Sequence, residues 1–106
     1  MKPVIVLTTV GASYDATPLA RDLVERRLAA CVNVVDGIRS IYRWQGKVED
    51  EGEKLLIMKT VEERVPELRK ALLSRHPYDV PEFIVLPIDA AEGTYREWLI
   101  ESVSTE

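Results

Sequence analysis

Apolar and β-branched residues run together from Val4 to Thr9 and stop at Gly11, which predicts a short strand buried on both faces. From Asp15 to about Ala30 the period changes. Ala20, Leu23, Val24 and Leu28 recur at helical spacing, and Arg21, Asp22, Glu25, Arg26 and Arg27 fill the other positions, as in an amphipathic helix. Asp15 or Thr17 can cap it, and Pro18 is tolerated in the first turn, where its missing N–H has no helical partner. Cys31 to Val35 is a second β run that resumes after Asp36-Gly37 as Ile38 to Trp44. Alternation there sets Tyr42 and Trp44 on one face and Arg39, Ile41 and Arg43 on the other. Gly46 and the acidic group Glu49, Asp50, Glu51 and Glu53 read as a turn of solvated carboxylates before a third strand, Leu55 to Lys59. A second strand reaching about Val48 would span up to ~55 Å, so the tip of the hairpin must project beyond a small core.

The rest of the pattern supplies two more helices and one strand. Thr60-Val-Glu-Glu63 has the form of a capping box ahead of Val65, Leu68 and Leu72, but Pro66 moves the expected start of regular helix to near Glu63. His76-Pro77 ends that helix, and Tyr78 to Pro81 is an irregular connection. Glu82 to Ile88 reads as a fourth strand. Thr94-x-x-Glu97 opens a short last helix with Tyr95, Trp98 and Leu99 on its apolar side. The order β-α-β-β-α-β plus a terminal helix is that of a ferredoxin-like α+β fold, one domain over residues 1–106, with two helices on one face of an antiparallel sheet and an extended β-hairpin.

Composition narrows the function classes. There are 14 basic against 18 acidic residues, a net charge of −4, and this argues against a nucleic-acid partner, which needs clustered basic surface. One cysteine, Cys31, and one histidine, His76, cannot form an internal disulfide or supply the four ligands of a structural zinc site within one chain. The apolar N-terminal run is far shorter than a membrane span, so no membrane partner and a cytoplasmic location with a reduced Cys31 are expected.

The fold alone decides little, because it hosts many unrelated functions. An RNA-recognition domain needs stacking aromatics in its third strand, and Lys54-Leu-Leu-Ile-Met-Lys59 has none. Acylphosphatases, similar in size and fold, place an arginine in the loop after the first strand; here that loop, Thr8 to Tyr14, has none. Cys31 follows a helix C-terminus, where the dipole disfavours a thiolate. No enzyme is expected.

Several segments taken together resemble the CutA divalent-cation-tolerance proteins: Arg21 to Asn33, Ser40 to Gly46, Lys59-Thr60, His76-Pro-Tyr-Asp-Val-Pro-Glu82, Leu86-Pro87 and Tyr95 to Leu99. The resemblance covers nearly the whole chain. It implies a ferredoxin-like fold, a tight homotrimer similar in assembly to the PII signalling proteins, and a link to copper and other divalent cations. In some members the proposed copper ligands include a cysteine near the end of the first strand and a histidine just before the His-Pro-Tyr motif. The matching positions here are Thr8 and Arg75, neither a good soft-metal ligand.

The expected metal residues are therefore His76 with Glu82. The bare residue pattern favours reading His76 as capping the end of its helix over reading it as a ligand. Tyr42 and Trp44, paired on a projecting ribbon, are expected at a subunit interface. Lys59, Tyr78 and Trp98 are expected, with Tyr42 and Trp44, beside intersubunit clefts that could take a small-molecule ligand; that placement follows from the resemblance. Two readings result, a trimeric divalent-cation binder and a PII-like regulatory or scaffold trimer binding an organic ligand or a partner protein.

Overall fold

The computed structural model describes residues 1–104. β1 (Pro3–Gly11) sets the layering. Its even positions Val4, Val6, Thr8 and Val10 are buried, while Ile5, Leu7 and Thr9 on the other face are half-buried. Such alternation means that one face is covered and the other is open within this chain.

α1 (Thr17–Glu25) and α2 (Val65–Leu73) cover the first face: Leu19, Leu23, Leu68 and Leu72 are fully buried against Val4, Val6, Val10, Leu56 and Met58. Asp15 serves the start of α1, its Oδ1 accepting the Thr17 N–H at 3.1 Å. α1 stops well short of Ala30. Arg27 takes the left-handed region at φ 58°, and the Leu28 and Ala29 N–H groups turn back to the Leu23 carbonyl at 2.9 and 3.2 Å. That closure lets Leu28 and Ala29 enter the core instead of continuing a solvated helix.

The sheet order is β2-β3-β1-β4, antiparallel throughout, with β2 (Cys31–Trp44), β3 (Lys47–Val61) and β4 (Ile84–Pro87). The acidic group is not a turn. Gln45 and Gly46, at φ 50° and 79°, close the hairpin alone, and Glu49 to Glu53 are strand residues of β3. Two consecutive positive φ values match the right-handed strand twist, so the ladder runs to its tip without a longer loop. A bulge between Val35 and Ile38, with Gly37 at φ 75°, bends β2 where it leaves the core. The ribbon stretches the molecule to 46 × 26 × 22 Å.

Neither capping box is used. Thr60 lies in β3 and its hydroxyl donates to the buried Leu28 carbonyl at 2.8 Å; a 3₁₀ turn over Glu62–Arg64 leads into α2, with Pro66 in the first turn. α3 (Gly93–Ser102) is capped by Glu92, whose Oε1 accepts the Gly93 N–H at 3.1 Å, which leaves Thr94 inside the helix. Of its expected apolar side only Leu99 is buried, in a second cluster with Val61, Ala30 and Val103, whereas Tyr95 and Trp98 are exposed. β4 is shorter than Glu82 to Ile88: the Glu82 carbonyl accepts from the Thr8 side chain, and Ile88, just past the strand, donates its N–H to the Pro3 carbonyl at 3.2 Å.

Candidate functional site

β3 and the ribbon strand β2 bring alternate residues onto one face. Ser40 pairs with Glu51 and Tyr42 with Glu49, and Glu53 follows at the next same-face position, level with Gly11 of β1. Asp50, on the opposite face, is held by a two-pronged contact from Arg39 at 2.7 and 2.6 Å. The carboxylates thus separate by parity, with one paired outward and the others facing Tyr42 and Trp44.

The connection after α2 closes this face into a cleft of about 680 Å³, walled by Tyr42, Trp44 and Tyr78 and floored by Glu53, Glu82 and Thr9. Glu53 is only 5% exposed. The Tyr78 hydroxyl donates to its Oε2 at 2.6 Å, and no side chain at Gly11 stands in the way of that hydroxyl. Burial first and the Glu53 carboxylate second push the Tyr78 phenol well above its ordinary range. Burial, then Glu51, Glu53 and Glu49, raises Tyr42. Burial, then Glu53, also raises Glu82. Apart from burial, the causes of all three shifts include nearby negative charge.

His76 stands behind this wall rather than in it. Its Nδ1 accepts the Tyr78 N–H at 3.1 Å, which leaves the proton on Nε2, 3.0 Å from the Thr9 carbonyl and 3.1 Å from Thr8 Oγ1. Thr8 in turn donates to the Glu82 carbonyl at 2.6 Å. Burial lowers the His76 pKa, opposed by the Thr9 bond and by Glu53. His76 therefore fixes the Tyr78–Glu82 segment, and a metal at either nitrogen would have to displace a bond or a proton. Arg75 is turned to α1, its guanidinium 3.2 Å from Asp22. Cys31 is half-buried, 3.6 Å from the Asn33 side chain. Among the described residues no three His, Cys, Asp or Glu side chains converge. These residues do not fit a soft-metal centre within one chain.

The residues expected together divide into two groups. Tyr42, Trp44, Tyr78 and Glu82 meet in the cleft, with His76 behind it. Lys59 instead lies over the Tyr95 ring at 5.8 Å, and Tyr95 and Trp98 are 5.3 Å apart, beside a shallower depression bounded by Arg27 and Glu101. Glu53 was missed, being read as part of a solvated turn. The signal that could have found it is the alternation Glu49, Glu51, Glu53, which continues the strand period of Leu55 and Ile57.

Helices on one face of a four-stranded antiparallel sheet, an open apolar face and a ribbon-walled cleft define a ferredoxin-like α+β protein. The model of the family described as CutA1 divalent ion tolerance protein matches residues 4–102. The chain belongs to that family. It is 47% identical over 98 residues to the divalent-cation tolerance protein CutA of Thermus thermophilus, covering 92% of this chain and 95% of that one. To the chloroplastic protein CutA of Arabidopsis thaliana it is 43% identical over 93% of its length, but it spans only 54% of that protein. The crystal structure of CutA1 from Oryza sativa superposes with a TM-score of 0.92 at 40% identity, covering 100% of this chain and 97% of that one.

Proposed function

We propose that this protein acts as a homotrimer in tolerance of divalent cations, as a binding protein rather than an enzyme. Support for the assembly comes from one observation: the sheet face opposite the helices carries Ile5, Leu7, Leu55, Ile57, Ile84 and Leu86, all half-buried or exposed within one chain. A contiguous apolar face of this kind calls for a covering surface, and a second copy offers an identical one. The ribbon, with Tyr42 42% and Trp44 41% exposed, extends that surface to a neighbour. Light scattering is expected to give three times the 12.0 kDa chain mass, and Trp44→Asp to shift it toward the monomer. A monomeric wild type would sink the reading.

The link to copper or another divalent ion rests on the family, and the bonds at His76 and Thr8 argue against a resident centre built on His76. Chelator-treated protein is therefore expected to keep its size and melting temperature. Saturable copper binding that His76→Ala abolishes would restore the His76 and Glu82 site. We place the protein in the cytoplasm, where Cys31 stays reduced; thiol trapping after cell fractionation tests this.

The acidic aromatic cleft favours a second reading, a trimer that binds a small organic ligand. A ligand bound only by the native state raises the melting temperature, so a thermal-shift screen separates the two: metal ions for the first, organic compounds for the second.

A further inference from the structure

Glu53 is a largely buried carboxylate whose one side-chain donor among the described residues is neutral. Its Oε2 accepts from the neutral Tyr78 hydroxyl, while its Oε1 has no hydrogen-bond donor among the described residues and is not sealed from solvent. Taking an ionised carboxylate out of water is costly unless a cation answers it. The neighbouring cations do not. Lys54 points to the other sheet face and donates to the Tyr14 carbonyl at 2.7 Å, Arg39 is held by Asp50, and Arg43 borders the cleft without an ion pair to Glu53 or Glu82. Glu82 adds a second carboxyl, and Tyr42, Trp44 and Tyr78 turn aromatic surface to the same space.

We propose that the cleft binds a primary organic ammonium ion on an apolar body, with the ammonium between Glu53 and Glu82 and the body against Tyr42 and Trp44 where the ribbon meets a neighbouring subunit. This deepens the reading of the cleft as a site for a small organic ligand. Three N–H donors suit the free carboxylate lone pairs, and aromatic faces attract a cation electrostatically. A compact divalent ion is a poorer match, because it needs several oxygen ligands at fixed geometry, and although Glu53, Asp79 and Glu82 all line the cleft, no three such side chains converge among the described residues. The carboxylates of Glu49, Glu51 and Glu53 around Tyr42, and of Glu53 beside Glu82, oppose an anionic ligand.

The test is calorimetric titration of the whole wild-type assembly with 2-phenylethylammonium, against the neutral 2-phenylethanol and the anionic phenylacetate. Saturable binding of the ammonium is expected, with the alcohol weaker by about tenfold or more and a similar loss in Glu53→Gln. Should Glu53→Gln not fold, Glu82→Gln, which removes a less buried carboxyl, is expected to weaken binding severalfold. No binding of the ammonium, tighter binding of phenylacetate, or affinities untouched by the substitutions would overturn the inference. So would copper binding in the cleft with no ammonium binding. Light scattering on the same samples keeps the outcomes apart: a trimer that ignores the ammonium removes this inference alone, whereas a monomer removes the assembly reading whatever it binds.

Discussion

Thr8 shows how one side chain can fix a site from beneath. It is fully buried, donates to the Glu82 carbonyl and lies within hydrogen-bond reach of His76 Nε2, so it ties β1 to both ends of the His76–Glu82 segment. Thr8→Val keeps the volume and strands those partners, and a loss of about 1–3 kcal/mol in urea unfolding is expected. His76 adds a pH dependence. Its folded pKa lies below the ordinary 6.5, so the neutral form is favoured by folding. That contribution is present above the unfolded value and is lost as pH falls through the lower folded one, because burial disfavours the charged ring and a protonated Nδ1 could no longer accept the Tyr78 N–H. Urea midpoints measured at pH 8 and at pH 5.5 should therefore converge between wild type and His76→Gln at the lower pH. The rise at Glu82 acts with the opposite sign and nearer the carboxylate range. Sequence put His76 and Glu82 in one motif. It gave no sign that backbone groups of Thr9 and Tyr78 would occupy the ring.

The ribbon is the element on which the cleft depends. A strand of 14 residues paired with one of 15 needs a turn with two positive φ values, and Gln45-Gly46 supplies it. Gly46→Ala is expected to lower stability by about 1–2 kcal/mol, since a Cβ disfavours the left-handed region, and thermal unfolding of the two proteins checks it. Length and alternation made the projection legible beforehand. The acidic group misled because carboxylates are depleted in strands, a weak preference that cross-strand pairing overrides, as Arg39 and Asp50 do here. The unused capping boxes have a similar cause. Thr60 is held by the sheet through the Leu28 carbonyl, and Glu92 reaches the helix start ahead of Thr94.

At the scale of the molecule, two layers leave half of the sheet uncovered. The helix side is closed by Leu19, Leu23, Leu68 and Leu72, and the other side ends in Ile5, Leu7, Leu55 and Ile57. Ile57→Asp places a charge in the middle of the open face between Leu7 and Asn33, and it should break assembly while leaving the secondary structure intact. Sedimentation together with circular dichroism checks both halves of that expectation. On the proposed assembly the wild-type melting temperature should also rise with protein concentration, because association would stabilise the folded chain by mass action.

Strand and helix order, the ferredoxin-like class, the projecting hairpin and the family were all fixed by the sequence. Hydrophobic period and turn residues are local, and the family's segments keep their order along the chain. Tertiary structure alone decided which charges face which. Strand parity sent Glu53 into the cleft and Asp50 out to Arg39, and the chain's return past β1 placed Tyr78 against Glu53 while Lys59 stayed with Tyr95. The alternation of Glu49, Glu51 and Glu53 records which face a side chain takes, but its partners there, such as Tyr78, come from far along the chain and are set by register and burial.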